Sequence, residues 1–233
     1  MVRGSGEESI GSEVKKTVVT RADVVDALKS VGLRSGGLVQ VHSSMKRLGW
    51  VEGGPDTIID ALQEVLGPEG TLVMPNYTMM PKEYEGPIQQ EFGTIWTGKL
   101  GARFAERDGV KRSRHPLWSI AVKGPLMDEL IEINDRTFFG FGVEKLHMRM
   151  AEFGGSVLLL GVGFESCSAM HVIEDLADLP HRQPIKERSN VSVEEFLQMS
   201  AQEQRKFMNY TRYSGPTPDF RLIEQPLREA GVL

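Results

Sequence analysis

Leu38-Val-Gln-Val41, then His42-Ser-Ser-Met-Lys-Arg-Leu-Gly-Trp50-Val-Glu-Gly53-Gly54-Pro55-Asp56, then Thr57 to Leu66, is the stretch on which the fold turns. Its first four residues read as a short buried strand. From Thr57 to Leu66 the apolar residues recur at helical spacing, and Pro55 suits the first helical turn, where its missing N–H costs nothing. Gly70-Thr-Leu-Val-Met-Pro75 then reads as a second strand. Strand, loop, helix and strand in that order point to an α/β sheet with helices packed on it.

The same order returns late in the chain. Ser156-Val-Leu-Leu-Leu-Gly161 is an apolar run bounded by glycines and reads as a strand. It feeds Gly161-Val-Gly-Phe-Glu-Ser-Cys-Ser-Ala-Met-His171-Val-Ile-Glu174-Asp-Leu-Ala-Asp178-Leu-Pro180. Wound at about 100° per residue, Ala169, Val172, Ile173 and Leu176 fall on one side of a helix, and His171, Glu174, Asp175 and Asp178 on the other.

The remaining segments fill in around these two units. Thr20-Arg-Ala-Asp23 opens a helix with a hydroxyl cap and a first-turn acid; Val24, Val25, Ala27, Leu28 and Val31 supply its apolar face, and Gly32 ends it. Asn76 to Gln90 has no clear periodicity and reads as either a long functional loop or a poorly ordered one. Thr97 to Asp108 is helical with Leu100, Phe104 and Ala105 inward, and Leu117 to Val122 is a strand. Pro125 to Ile133 and Lys145 to Phe153 read as helices, with Phe138-Phe-Gly-Phe-Gly142 as an aromatic joint between them. Ser192-Val-Glu-Glu195 is a capping box that starts a helix to about Phe207 or Asn209. The tail carries one further short helix at most. The expectation is an α/β fold: a single domain over residues 20–233, with a central mixed β-sheet flanked by helices on both faces, after a flexible N-terminal arm over 1–19.

Composition narrows the function. A hydrophobic share of 40% with 25% charged residues is that of a globular protein, and no apolar run reaches membrane-spanning length. The N-terminus has no hydrophobic core of the signal-peptide kind, so the expected location is cytoplasmic. A net charge of −5 gives no broad basic footprint for nucleic acid. The single Cys167 excludes an internal disulfide and a four-cysteine zinc site, and the five histidines show no H-E-x-x-H spacing, so no metal is expected.

Three strand-to-loop junctions carry a histidine and at least one serine: at His42, at His115 to Ser119, and at His171. At the first, Ser43, Ser44 and the amides before Pro55 form either a phosphate-receiving loop or a plain tight turn. At the second, Lys111, Arg112 and Arg114 form either a polyphosphate site or a solvated basic loop. At the third, Glu174 stands at i+3 from His171, close enough to hold its imidazolium form, although a polar helix face of this kind is also ordinary solvated surface. Gly161-Val-Gly163 falls short of a dinucleotide fingerprint because Ser166 stands at its third glycine position. Cys167 reads as a small buried filler, since nothing cationic nearby lowers its thiol pKa.

Taken in order, Val41 to Thr57, Arg112-Ser-Arg-His-Pro-Leu-Trp-Ser-Ile-Ala-Val-Lys-Gly-Pro125 and Leu159-Leu-Gly-Val-Gly-Phe-Glu-Ser-Cys-Ser168-Ala-Met-His171-Val-Ile-Glu174 resemble the signature blocks of the aminoglycoside 3-N-acetyltransferase family. The resemblance covers about residues 20 to 185. It implies an α/β acyltransferase, outside the GNAT type, that moves acetyl from acetyl-coenzyme A as cosubstrate to an amine of an aminoglycoside or other amino sugar. It implies His171 as general base, Glu174 as its orienting partner and Ser168 as donor to the thioester oxygen. It also implies that His42, Ser43, Ser44, Met45, Arg112, Ser113 and Ser119 face coenzyme A. A cationic acceptor would be drawn to Asp175, Asp178 and Glu83. The acceptor is either a drug or a nucleotide-linked amino sugar, and the alternative to an enzyme is a coenzyme-A-binding homologue without turnover. The expected partner is a small-molecule amine, with neither nucleic acid nor membrane; a homodimer stays open.

Overall fold

The computed structural model describes residues 18–136, 138, 146–176, 191–209 and 219–231. The expected arm up to residue 17, most of the aromatic joint and Asp178 therefore lie outside the described residues. Val18–Val19, at the end of that arm, form β1. Helix α1 (Arg21–Ser30) follows, and its capping box is closed both ways: Thr20 Oγ1 accepts from the Asp23 amide, and the Asp23 carboxylate accepts from the Thr20 amide. Val24, Val25 and Leu28 are buried, whereas Ala27 and Val31 are exposed. Val31 is the C-cap residue, where the helical phase ends.

Strand β2 (Leu38–Ser43) is longer than expected and carries His42 and Ser43 within it. A 3₁₀ turn (Met45–Leu48) and β3 (Trp50–Val51), which pairs parallel with β1, lead to α2 (Pro55–Leu66). Ile58, Ile59, Ala61, Leu62, Val65 and Leu66 of α2 are all buried, and burial of each large side chain is worth about 1.5–3 kcal/mol. Then come β4 (Thr71–Pro75), β5 (Thr78–Met79) and β6 (Thr94–Ile95); the last two pair antiparallel, β5 within the segment expected to be a loop and β6 just after it. Helix α3 (Lys99–Ala105), β7 (Lys111–Arg112), β8 (Ile120–Lys123), α4 (Met127–Arg136) and α5 (Leu146–Glu152) complete the middle of the chain. β9 (Ser156–Leu160) and α6 (Met170–Leu176) follow.

The main sheet has the order β7-β8-β4-β2-β9, with β4 and β9 parallel to β2, β8 antiparallel to β4, and β7 antiparallel to β8. Alternation along the strands divides the core. Val39, Val41, Leu72 and Met74 pack on one face with α1, α2 and α3; Leu38, Val73, Ile120 and Val122 pack on the other with α4 and α5. The sheet is mixed and covered by helices on both faces, as the sequence led one to expect.

Three further details differ from the sequence reading. The strand expected over Leu117 to Val122 starts only at Ile120 and runs to Lys123. The helix expected from Ser192 to Phe207 or Asn209 is two helices, α7 (Val193–Gln198) and α8 (Ala201–Asn209), because Ser200 and Glu203 make a second reciprocal cap in its middle. Helix α6 begins only at Met170, so its inward residues are Met170 and Val172, and Ile173 is left 45% exposed. The tail forms a 3₁₀ turn (Phe220–Ile223) and the short α9 (Glu224–Glu229). Among the described residues no helix is long and apolar enough to cross a membrane, and no group of metal-binding side chains gathers.

Candidate active site

Because β4 and β9 flank β2 in parallel, their carboxyl ends at Ser43, Pro75 and Leu160 open on the same edge of the sheet, the place where α/β sheets leave a crevice. A cavity of about 1070 Å³ occupies that edge. His42, Ser43, Ser44 and Met45 line it from the end of β2; Ser168 and His171 line it from the segment after β9. The two loops are tied together: the Ser44 amide donates to the Leu160 carbonyl at 3.0 Å.

The start of α2 forms another wall. Gly53 and Gly54 hold φ of +73° and +62°, which only glycine adopts readily, and Gly54 caps α2 without a side chain. The start of α2 thus reaches the cavity at Gly53, Gly54 and Pro55 without a side-chain cap; Pro55 has no N–H to offer, and the positive end of the helix is what favours an anion there. Gly101 lets α3 reach the same wall, since a Cβ there would sit 2.5 Å from the Pro75 carbonyl oxygen. The cations on the lining are Lys46 and Lys99. Glu165 also lines it; hydrogen bonds from its own and the Gly163 amide hold its carboxyl below the usual range.

Ser168 is buried three residues before His171, and its Oγ accepts a 2.9 Å hydrogen bond from the hydroxyl of Tyr77, which follows β4. The ring of Phe220, from the C-terminal turn, meets the His171 imidazole at 5.3 Å. Cys167 is buried, and burial pushes its thiol up, which fits a filler and not a nucleophile. Glu174 and Asp175 lie on α6, one turn along from His171, but their side chains are outside the described residues.

His42 and Gln40 point to the same face of β2. Gln40 Oε1 lies 2.9 Å from Nε2 of His147, which α5 supplies. The buried Nε2 of His42 and Nε2 of Gln40 have no hydrogen-bond partner among the described residues. Burial holds the His42 imidazole down at about 4, and burial first, with His42 and His171 nearby second, holds His147 at about 3. Both are neutral near pH 7, so His42 offers the cavity a dipolar, uncharged ring.

The second junction is built differently. Arg112 Nε donates to Ser119 Oγ, and its Nη2 donates to the Asn76 carbonyl and Thr78 Oγ1, all at 2.9 Å. Ser119 in turn donates to the Asn76 carbonyl, and Ser113 donates to Asn134 Oδ1. Arg112, Ser113 and Ser119 therefore lock β5, β7 and β8 together beside the cavity and are not on its lining. His115 is fully buried: its Nδ1 accepts from the Leu117 and Trp118 amides, and its Nε2–H donates to the Phe138 carbonyl. Glu83 is exposed and off the lining.

Sequence reasoning missed Tyr77, Phe220, Lys46 and Lys99. Lys46 carried a signal, since it stands in the loop that Ser43 and Ser44 open; Tyr77 and Phe220 sit in aperiodic segments and carried none. Together, a histidine, a serine hydroxyl supported from behind, an uncapped helix start and two lysines suit proton transfer and stabilisation of a developing oxyanion beside a phosphate-bearing ligand.

Comparison with known proteins gives the same direction. The family model described as aminoglycoside 3-N-acetyltransferase matches residues 40–233. An aminoglycoside N(3)-acetyltransferase III of Salmonella sp is 30% identical over an alignment of 180 positions that covers 70% of this chain and 63% of that protein. The chain thus spans less than two thirds of the length of that relative. The solved apoenzyme of aminoglycoside acetyltransferase AAC(3)-IVa is 31% identical with a TM-score of 0.63, covering 73% of this chain and 66% of its own. The solved binary complex of AAC-IIIb with CoASH is 26% identical with a TM-score of 0.63, covering 72% and 68%.

Proposed function

The chain belongs to the aminoglycoside 3-N-acetyltransferase family, and on that premise we propose that it transfers acetyl from acetyl-coenzyme A to an amine of an aminoglycoside or other amino sugar. The observation that carries the reading is the meeting of Ser168 and His171 with the His42-Ser43-Ser44 loop in one cavity at the carboxyl ends of β2, β4 and β9. At about 1070 Å³ this cavity is just larger than the usual range for small-molecule sites, which leaves room for a nucleotide-sized cosubstrate.

In this mechanism the acceptor nitrogen attacks the thioester carbonyl carbon, and His171 takes the proton that the nitrogen loses as the C–N bond forms. Ser168 donates to the carbonyl oxygen while it carries negative charge. When the C–S bond breaks, the thiolate leaves and is protonated to the free thiol of coenzyme A. Glu174, at i+3 on α6, is assigned the orienting role, and Asp175 and Asp178 the attraction of a cationic acceptor. Lys46, Lys99 and the start of α2 replace Arg112 as the groups that meet the phosphates, since the Arg112 donors are engaged within the protein.

A second acceptor class has an observation in its favour. Glu165 is the one carboxylate among the described side chains on the lining, which suits a nucleotide-linked amino sugar better than a polycation. Release of free thiol from acetyl-coenzyme A, measured across aminoglycosides and nucleotide-linked amino sugars, tests both. Amine-dependent release is expected. Tight coenzyme A binding with no release for any amine would instead identify a binding protein.

A further inference from the structure

Tyr77 takes no part in the proton transfer proposed above, yet its side chain reaches the same cavity as Ser168. It stands two residues beyond the end of β4, so the parallel pairing of β4, β2 and β9 brings it level with the segment that follows β9. Its ring is buried and tilted against Trp96, with centroids 6.1 Å apart. Its hydroxyl donates to Ser168 Oγ at 2.9 Å. Burial pushes the phenol up to about 12, so it stays a donor throughout the neutral range.

A serine hydroxyl has one hydrogen to give and two lone pairs to accept with. Tyr77 occupies one lone pair of Ser168. Among the described residues no acceptor takes the Ser168 hydrogen itself, although the side chain is buried and lines the cavity. A hydroxyl that accepts a hydrogen bond also donates a stronger one, by about 10–30% per bond in condensed-phase estimates. The phenol behind Ser168 thus fixes which way its hydrogen can turn and strengthens it as a donor.

We propose that Tyr77 is a positioning residue for acyl transfer: by donating to Ser168 Oγ it turns the serine hydrogen into the cavity, onto the thioester carbonyl oxygen. This rests on the reading of the chain as an acetyl-coenzyme-A-dependent transferase. No covalent bond to Tyr77 or Ser168 is involved, and the charge that develops on the oxygen is the one that collapses when the thiolate leaves.

The test uses acetyl-coenzyme A labelled with ¹³C at the carbonyl, bound to the full chain, and reads the carbonyl stretch by isotope-edited infrared difference. Binding should lower the stretch relative to free acetyl-coenzyme A. Tyr77→Phe keeps the ring against Trp96 and should lose part of that lowering; Ser168→Ala should lose more, and the double variant should match Ser168→Ala alone. Ser168→Thr keeps a hydroxyl and should retain the shift. In turnover, Tyr77→Phe should reduce kcat by about tenfold, below the roughly 10²–10³ for deleting an oxyanion donor, with the KM for acetyl-coenzyme A within about twofold. A Tyr77→Phe band and kcat equal to wild type overturn the proposal, as does an effect of Tyr77→Phe that persists in the Ser168→Ala background. Failure of the wild-type chain to bind acetyl-coenzyme A overturns the parent reading along with it, and is told apart from a bound ligand with an unshifted band.

Discussion

The rings of Phe220 and His171 meet edge to face, with centroids 5.3 Å apart and planes crossing at 74°. The C-terminal turn therefore supplies a wall of the cavity and a contact that restricts how the imidazole turns. Aromatic pairs of this kind are worth about 0.5–1.5 kcal/mol. Phe220→Ala should lower kcat/KM for amine-dependent thiol release by up to about tenfold, and Phe220→Leu by less. Unchanged kcat/KM in Phe220→Ala would remove the turn from the site.

His171 itself should show a much larger effect. Loss of a general base costs about 10²–10⁴ in rate, so His171→Ala should nearly abolish turnover while coenzyme A affinity, measured by calorimetry, stays close to wild type. Substantial activity in that variant would place the base elsewhere.

The cations divide into two kinds, and substitution should separate them. Lys46→Ala and Lys99→Ala should weaken coenzyme A binding, with a loss that shrinks as salt rises, because both line the cavity and their attraction to phosphate is screened. Arg112→Ala should chiefly lower stability, by about 1–3 kcal/mol in denaturant unfolding, because it leaves Ser119, Thr78 and the Asn76 carbonyl without a donor they now share. A salt-sensitive loss of coenzyme A affinity in Arg112→Ala at unchanged stability would contradict that division.

The buried histidines predict a pH dependence of stability. Their folded pKa values, about 4 for His42 and about 3 for His147, lie below the ordinary 6.5, so the unfolded chain binds more protons between those limits. Stability should be full above pH 6.5, fall as pH drops toward 4 and 3, and gain no further slope from these groups below that. The urea midpoint of the wild type should therefore drop between pH 7.5 and 5, a window above most carboxylates, and His147→Leu should flatten part of the slope. An identical slope in that variant would assign the effect elsewhere.

Much of this architecture was legible because it is written in local pattern. The apolar runs at Leu38, Thr71 and Ser156, the helix from Pro55 and the two capping boxes at Thr20 and Ser192 each state their own structure within a few residues. Ser44, Ser168 and His171 follow from strands that end at one edge. Arg112 shows where such reading stops: a cluster of cations looks ligand-facing or solvated from sequence, and only tertiary placement reveals three acceptors waiting for its guanidinium. His115 is similar, a histidine between two candidate motifs whose ring joins a loop to Phe138. Tyr77 and Phe220 become visible only when distant strand ends and the tail are folded together.

Among the described residues β9 lies at the border of its sheet, paired with β2 on one side over Val39–Ser156 to Ser43–Leu160, and its residues run from exposed to partly buried. The loop proposed to meet coenzyme A hangs on the interior strand β2, while Ser168 and His171 hang on this border. Mild denaturant or heat should peel the border first, as a subglobal opening well below the global transition. The protein would then stop turning over while still holding coenzyme A, so that loss of catalysis acts as an early reporter of fraying at one edge.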